Sequence, residues 1–318
     1  NKDAKIGTSS TTSAELPDLK GTDDVDKISI TNGSKGEIVL EKKGDKWSLS
    51  KPVSAIASQT NVDQLVKNLK ELKAKEVIMA TASEDSKKDY ELSADKAVHV
   101  VAYKGSDKKL DLSFGSSGQR GQMAMMDGKP AIFAVTGYAS YLYTREAKGF
   151  RDTEILKFDD QNANGLVIEK KDGVLSFTKE GEKWSGTFKG KAIDRFDQEK
   201  VKDALRAFKS LTAEDFGDGK NLSETGLDTA EATVTIQLKD NAGKFTFKVG
   251  KNSSGSNRWT LKEGGETIYS IPSYTADWAT ADVAKFQRPL DAGAGDAGGP
   301  KKLDIPSMGH GDDDGHGH

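Results

Sequence analysis

The chain has 318 residues, of which 31% are Asp, Glu, Lys or Arg and 35% are apolar, and its net charge is −3. That is room for two ordinary domains under a heavily charged surface, and interspersed charges without a basic stripe argue against a nucleic-acid partner. With no cysteine, disulfides, thiolate metal sites and cysteine nucleophiles are excluded.

Residues 1–21 are polar and aperiodic, which predicts a flexible tether. No run approaches the roughly 20 apolar residues of a membrane span, so membrane attachment is expected only through an N-terminal anchor missing from this sequence. Residues 27–31 alternate polar and apolar side chains, as a half-buried strand does, and 37–41 and 46–49 read as a second and a third strand. Asn32-Gly33 reads as a two-residue hairpin turn, because both residue types tolerate positive φ. A helix follows, with Thr60 as N-cap, Asp63 as its acidic partner three residues on, and Lys73 and Lys75 near its end. Its apolar face carries Leu65, Leu69 and Leu72. Four more strands are predicted over 98–103, 110–114, 122–126 and 131–135.

The order then returns. Gly44-Asp45-Lys46-Trp47-Ser48 recurs as Gly181-Glu182-Lys183-Trp184-Ser185, an offset of 137 residues. The helical face recurs as Val201, Leu205 and Phe208, at an offset of 136, and Gly115 and Ile132 match Gly250 and Ile268. Strands are expected over 165–169, 174–178, 183–186, 233–238, 244–249, 258–262 and 267–271. A duplication of this length predicts an α+β protein of two tandem repeats, at 22–149 and 150–288. Each is expected to be an antiparallel sheet or meander packed with one main amphipathic helix. Residues 289–318, rich in Gly, Asp and His, read as a disordered tail.

Few residues point to chemistry. His99, the one histidine of the folded region, falls on the solvent side of its strand, opposite Val98 and Val100. Met123, Met125 and Met126 read as core rather than a copper site. Residues 293–298 match G-x-G-x-x-G but lack the strand before and the helix after that a dinucleotide site needs. His310, His316 and His318, beside three aspartates, predict at most weak divalent-metal chelation. No cofactor is expected. Tyr138, Tyr141 and Tyr143, and in the second copy Tyr274 and Trp278, follow the last strand of each repeat. They serve either as caps on each core or as a patch for a partner or glycan. Trp47 and Trp184 read as large core residues behind a Gly turn.

The G-[DE]-K-W motifs at 44–47 and 181–184 carry a resemblance, together with Pro52 and the helical patterns at 62–74 and 201–213. Tyr90-Glu91-Leu92 and Thr225-Gly226-Leu227 fit it as well. The pattern resembles an uncharacterised bacterial family, the domain of unknown function numbered 4340. The resemblance implies an extracytoplasmic region behind one N-terminal membrane span, often encoded beside ABC transporter components of the gliding-motility kind. That family offers no catalytic residues. The expected function is therefore non-enzymatic: an accessory or scaffold module for transport-complex subunits or other envelope proteins. The rivals are a glycan- or peptide-binding module with its aromatics in a cleft between the repeats, and a hydrolase with two carboxylates.

Overall fold

The computed structural model describes residues 14–290. The N-terminal half begins with β1 (Lys27–Asn32), β2 (Glu37–Lys43), β3 (Lys46–Lys51), β4 (Ala55–Ile56) and helix α1 (Gln59–Glu71). It continues through β5 (Lys73–Met79), α2 (Glu84–Asp89), β6 (Val98–Lys104), β7 (Asp107–Gly118), β8 (Gly121–Met126), β9 (Ile132–Thr136) and α3 (Ser140–Tyr143). The C-terminal half begins with β10 (Glu154–Lys157), β11 (Ala163–Lys170), β12 (Gly173–Glu180), β13 (Lys183–Phe188), β14 (Lys191–Ala192) and α4 (Gln198–Phe208). After it come β15 (Ser210–Thr212), β16 (Asp215–Phe216), α5 (Leu222–Thr225), β17 (Ala232–Leu238), β18 (Lys244–Asn252), β19 (Arg258–Lys262), β20 (Ile268–Ile271) and α6 (Ser273–Ala279).

Helices on antiparallel sheets make this an α+β protein. One nine-stranded sheet has the order β4-β3-β2-β1-β6-β7-β8-β9-β5, and the other β14-β13-β12-β11-β17-β18-β19-β20-β16. In both, the strand before the main helix lies at one edge and a strand after it at the opposite edge. The main helix and its flanks therefore carry the chain across the sheet, which is why that helix needs a continuous apolar stripe. α1 buries Val62, Leu65 and Leu69 against Ile28, Ile30, Val100 and Leu112; α4 buries Val201, Ala204, Leu205 and Phe208 against Leu166, Ile168, Val234 and Phe247. Each such side chain removed from water contributes about 1.5–3 kcal/mol before entropy is counted. The two main cores draw on separate stretches, Leu19 to Phe150 and Ile155 to Phe286.

The residues that follow each short helix pack on the other face of the sheet, Tyr90 and Leu92 in the first half and Leu227 in the second. β9 therefore buries Phe133 and Val135 toward α1, and Ile132 and Ala134 beneath Leu92. Glycine is needed where this second layer comes down. A Cβ on Gly115 would lie 2.1 Å from the Tyr90 carbonyl oxygen, and one on Gly250 would lie 2.3 Å from that of Thr225.

Several expectations are corrected. α1 is capped by Ser58, whose hydroxyl accepts from the Asn61 amide, and Thr60 lies inside the helix. Lys73 and Lys75 belong to β5, so Lys70 is the basic residue of the last helical turn. Asn32-Gly33 is not a two-residue turn: a 3-10 turn follows, where Gly33 sits against Asp95 and its amide donates to Ala97. Leu19, assigned to the tether, is buried in the first core, and so is Phe150, assigned to the second repeat. The alternating pattern also missed the short strands β4, β10 and β14–β16 and the longer β5.

Candidate functional site

The expected aromatic patch divides in two. Tyr138 stacks on Phe114 with centroids 4.1 Å apart and on Tyr143 at 4.7 Å, inside the first core. Trp278 packs against Phe286 and lies under the Lys285 ammonium, which is 4.1 Å from its ring. Tyr141 and Tyr274 instead stand 65% and 64% exposed. Each is the second residue of a short helix, directly after Ser140 or Ser273. The residues that follow, Leu142 and Tyr143 or Thr275 and Ala276, face inward. On one helical turn, that places the tyrosine on the outer side.

None of these five aromatics lines the small cavity where the halves meet. That cavity measures about 70 Å³ and is walled by Ile56 from one half, Phe216, Thr267 and Tyr269 from the other, and Arg151 between them. The aromatics that border this cavity are Phe216 and Tyr269. Arg151 is 5% exposed; its Nη1 donates to the Asp218 carboxylate and its guanidinium lies 3.6 Å from the Phe216 ring centre.

A more extensive feature occurs in both halves: a groove where the main helix meets the tryptophan hairpin. In the N-terminal half it measures about 620 Å³ and is walled by Asp23, Asp24, Lys42, Trp47 and, from α1, Asp63 and Val66. In the C-terminal half it measures about 260 Å³ and is walled by Asp160, Gln161, Lys179, Trp184 and, from α4, Lys202 and Leu205. Lys42 stands directly across the β2–β3 hairpin from Trp47, as Lys179 stands across β12–β13 from Trp184.

Each helix is pinned to its tryptophan strand by its first residue. The Gln59 amide oxygen accepts from the Trp47 N–H at 2.8 Å, and its NH₂ donates to the carbonyls of Trp47 and Ala57 at 2.9 and 2.8 Å. Gln198 accepts from the Trp184 N–H at 3.2 Å. The helices therefore correspond through Gln59 and Gln198, which pairs Val62 with Val201 and Leu69 with Phe208. This corrects the helical offset of 136, because the connection from tryptophan to helix is longer in the second half.

Both indoles are nearly buried, at 3% and 7% exposure. Neither indole N–H is paired with an acceptor among the described residues, yet neither is sealed from solvent. By size the two tryptophans read as core alone; the lysine five residues before each one is the sequence signal of the groove.

His99 is on the face away from the core, as expected, but it is not free. Its Nε2 lies 2.7 Å from Asp111 Oδ1, and Lys108 donates to the other oxygen. Burial pushes the Asp111 carboxyl up, but the hydrogen bonds from Lys108 and His99 outweigh it and hold the group below the usual carboxylate range. Asp111 is the one buried carboxylate among the described residues. Met123 is buried in the outer-face core, with Met125 packed against it. His310, His316 and His318 lie outside the described residues, as does the glycine-rich match at 293–298. Among the described residues no group of three His, Cys, Asp or Glu is placed to hold a metal ion, and no helix is long and apolar enough to cross a membrane.

No curated protein and no solved structure matches the chain. One family does match, over residues 47–230, a stretch that takes in both tryptophans, the second tryptophan hairpin and both main helices. With more than half of its length covered, the chain belongs to the family described as Domain of unknown function (DUF4340).

Proposed function

We propose that this protein is a non-enzymatic, extracytoplasmic accessory module, membrane-tethered in its full-length form, whose two halves are copies of one unit. It docks onto subunits of a membrane transport assembly or onto other envelope proteins. The single observation that carries the docking is the pair of exposed tyrosines, Tyr141 and Tyr274. Neighbouring aromatics in both halves are packed away, whereas these two occupy the same Ser-Tyr step and point outward. Tyrosine is enriched at interfaces over the rest of the surface and is a favoured anchor there. The matching strand orders, the paired grooves and the shared glutamine–tryptophan contact support a duplicated unit.

Cross-linking of tagged, full-length protein in native membranes tests the reading. Transport subunits should co-purify in fixed ratio, and Tyr141→Ala or Tyr274→Ala should weaken their recovery about tenfold. Recovery of the protein alone after efficient cross-linking would sink the reading.

A further inference from the structure

We propose that copies of this chain associate head to tail, the open outer corner of one copy's first half receiving the C-terminal corner of the next copy. The seam between the two halves is the template. One side of it is a tail corner: Ala57 bridges Arg151, the Ser58 amide donates to the Phe150 carbonyl at 2.8 Å, and the Asp152 amide donates to that of Ile56 at 2.9 Å. The other side is a head corner, where Phe216, Thr267 and Tyr269 meet Ile56 and leave a cavity of only about 70 Å³.

Both corners recur, each without a mate among the described residues. At the end of the second half Phe196 bridges Gln287, the Asp197 amide donates to the Phe286 carbonyl at 2.9 Å, and the Arg288 amide donates to that of Arg195 at 2.8 Å. That is the tail corner again. In the first half Ala131 and Phe133 correspond to Thr267 and Tyr269, at the offset of 136 that matches Ile132 to Ile268. They wall a groove beside residues 14–18, which is the head corner again. With no tail corner brought against it, this groove measures about 480 Å³.

The two free corners are complementary. The groove is lined by Leu16, Pro17, Met126, Pro130 and Phe133, and Leu16 is 44% exposed. The free tail runs into Leu290, which is 77% exposed. Leu290 stands three residues after Gln287, as Glu154, which walls the seam cavity, stands three residues after Arg151. Around the groove, exposed Glu15 and Asp18 stand against one Lys129, while the tail carries exposed Arg288 two residues before Leu290. An apolar centre with a rim of opposite charge is the makeup of a protein interface. The occupant is a second copy because a corner of this build already seats a corner of that build inside the chain. The contact joins unlike surfaces, so it adds copies into rings or open chains.

Sedimentation equilibrium of the full chain, from about 10 µM to about 1 mM, covers the range of weak, small contacts. The average mass should rise with concentration and pass that of a dimer, since each added copy brings a free head or a free tail. Leu16→Asp and Leu290→Asp should each weaken the association about tenfold. Both side chains are exposed, so the melting temperature should not move. Mixing the two variants separates this geometry from any other: one keeps its tail and the other its head, so an equimolar mixture should form a one-to-one dimer and stop there. A monomer at every concentration overturns the proposal, whether the groove stays open or is taken by the chain's own terminal residues. So does association that survives both substitutions, and so does a mixture no heavier than its components. Tyr141→Ala should leave the mass curve unchanged, so failure here and failure of partner docking are distinguishable.

Discussion

At the scale of single residues, the fold's second half-turn after β9 depends on one buried polar knot. Asn68, on the inward face of α1, donates to the Gly137 carbonyl at 2.7 Å and accepts from the Ala139 amide at 3.2 Å and the Tyr143 hydroxyl at 2.9 Å. Tyr143 is fully buried, and burial raises its pKa above the ordinary tyrosine value, with the nearby Tyr138 and Glu71 adding to the effect. Burial raises Tyr138 likewise. In the unfolded chain these hydroxyls ionise near pH 10. Above that pH the unfolded state holds fewer protons than the folded one, so stability is complete below about pH 10 and falls as the pH rises further. Urea midpoints measured across that alkaline range should decline. Tyr143→Phe should lower stability at neutral pH by about 1 kcal/mol, through loss of the Asn68 bond, and make the alkaline decline shallower. An unchanged decline in the variant would show that Tyr143 does not carry it. Nothing in the sequence marked Asn68, because a lone asparagine on an apolar helical face is distinguished only by partners about 70 residues away.

At the scale of elements, the helix–hairpin unit shows what local pattern reveals and where it stops. The apolar faces of α1 and α4 were legible from their spacing, since one amphipathic stripe admits one orientation. Their starting points were not. Ser58 and Thr60 are both competent caps, and the choice falls to Ser58 because the side chain of Gln59 is spent on the Trp47 strand. The short strands β10 and β15 pair only with each other and are too short to show alternation. The groove was hidden for a related reason: a tryptophan reads as core by size, and the groove beside it appears only once the strand, helix and turn are assembled. The glutamine contact leads to a comparison. Gln59 makes three hydrogen bonds to backbone groups, two to Trp47 in the hairpin and one to Ala57, and Gln198 makes one, to Trp184. With net values near 1 kcal/mol for each bond, Gln59→Ala should cost about 2–3 kcal/mol and Gln198→Ala about 1. Equal losses in chemical denaturation would mean that the helix ends are held by packing and not by these amides.

At the scale of the whole molecule, two separate cores meet through a narrow seam, and Arg151 is the residue that spans it. Its backbone bridges Ala57, the Ser58 amide donates to the Phe150 carbonyl at 2.8 Å, and the Asp152 amide donates to the Ile56 carbonyl at 2.9 Å. One step later the Ala213 amide donates to the Thr153 carbonyl at 2.8 Å, so residues 150–153 are stitched first to one half and then to the other. The Arg151 side chain adds the stack on Phe216 and the pair with Asp218. Removing it does not strand a buried carboxylate, since Asp218 is 47% exposed. The loss is that of the stack and of the buried stem, about 2 kcal/mol. Because neither core contributes residues to the other, that loss falls on the coupling between halves. Arg151→Ala should therefore split or broaden a calorimetric unfolding transition that is sharper in the parent, with the cores themselves intact by near-ultraviolet circular dichroism. Arg151→Lys should behave like the alanine variant, because an ammonium restores the charge but not the planar stack. A single sharp transition with an unmoved midpoint in both variants would place the coupling in the backbone stitches alone.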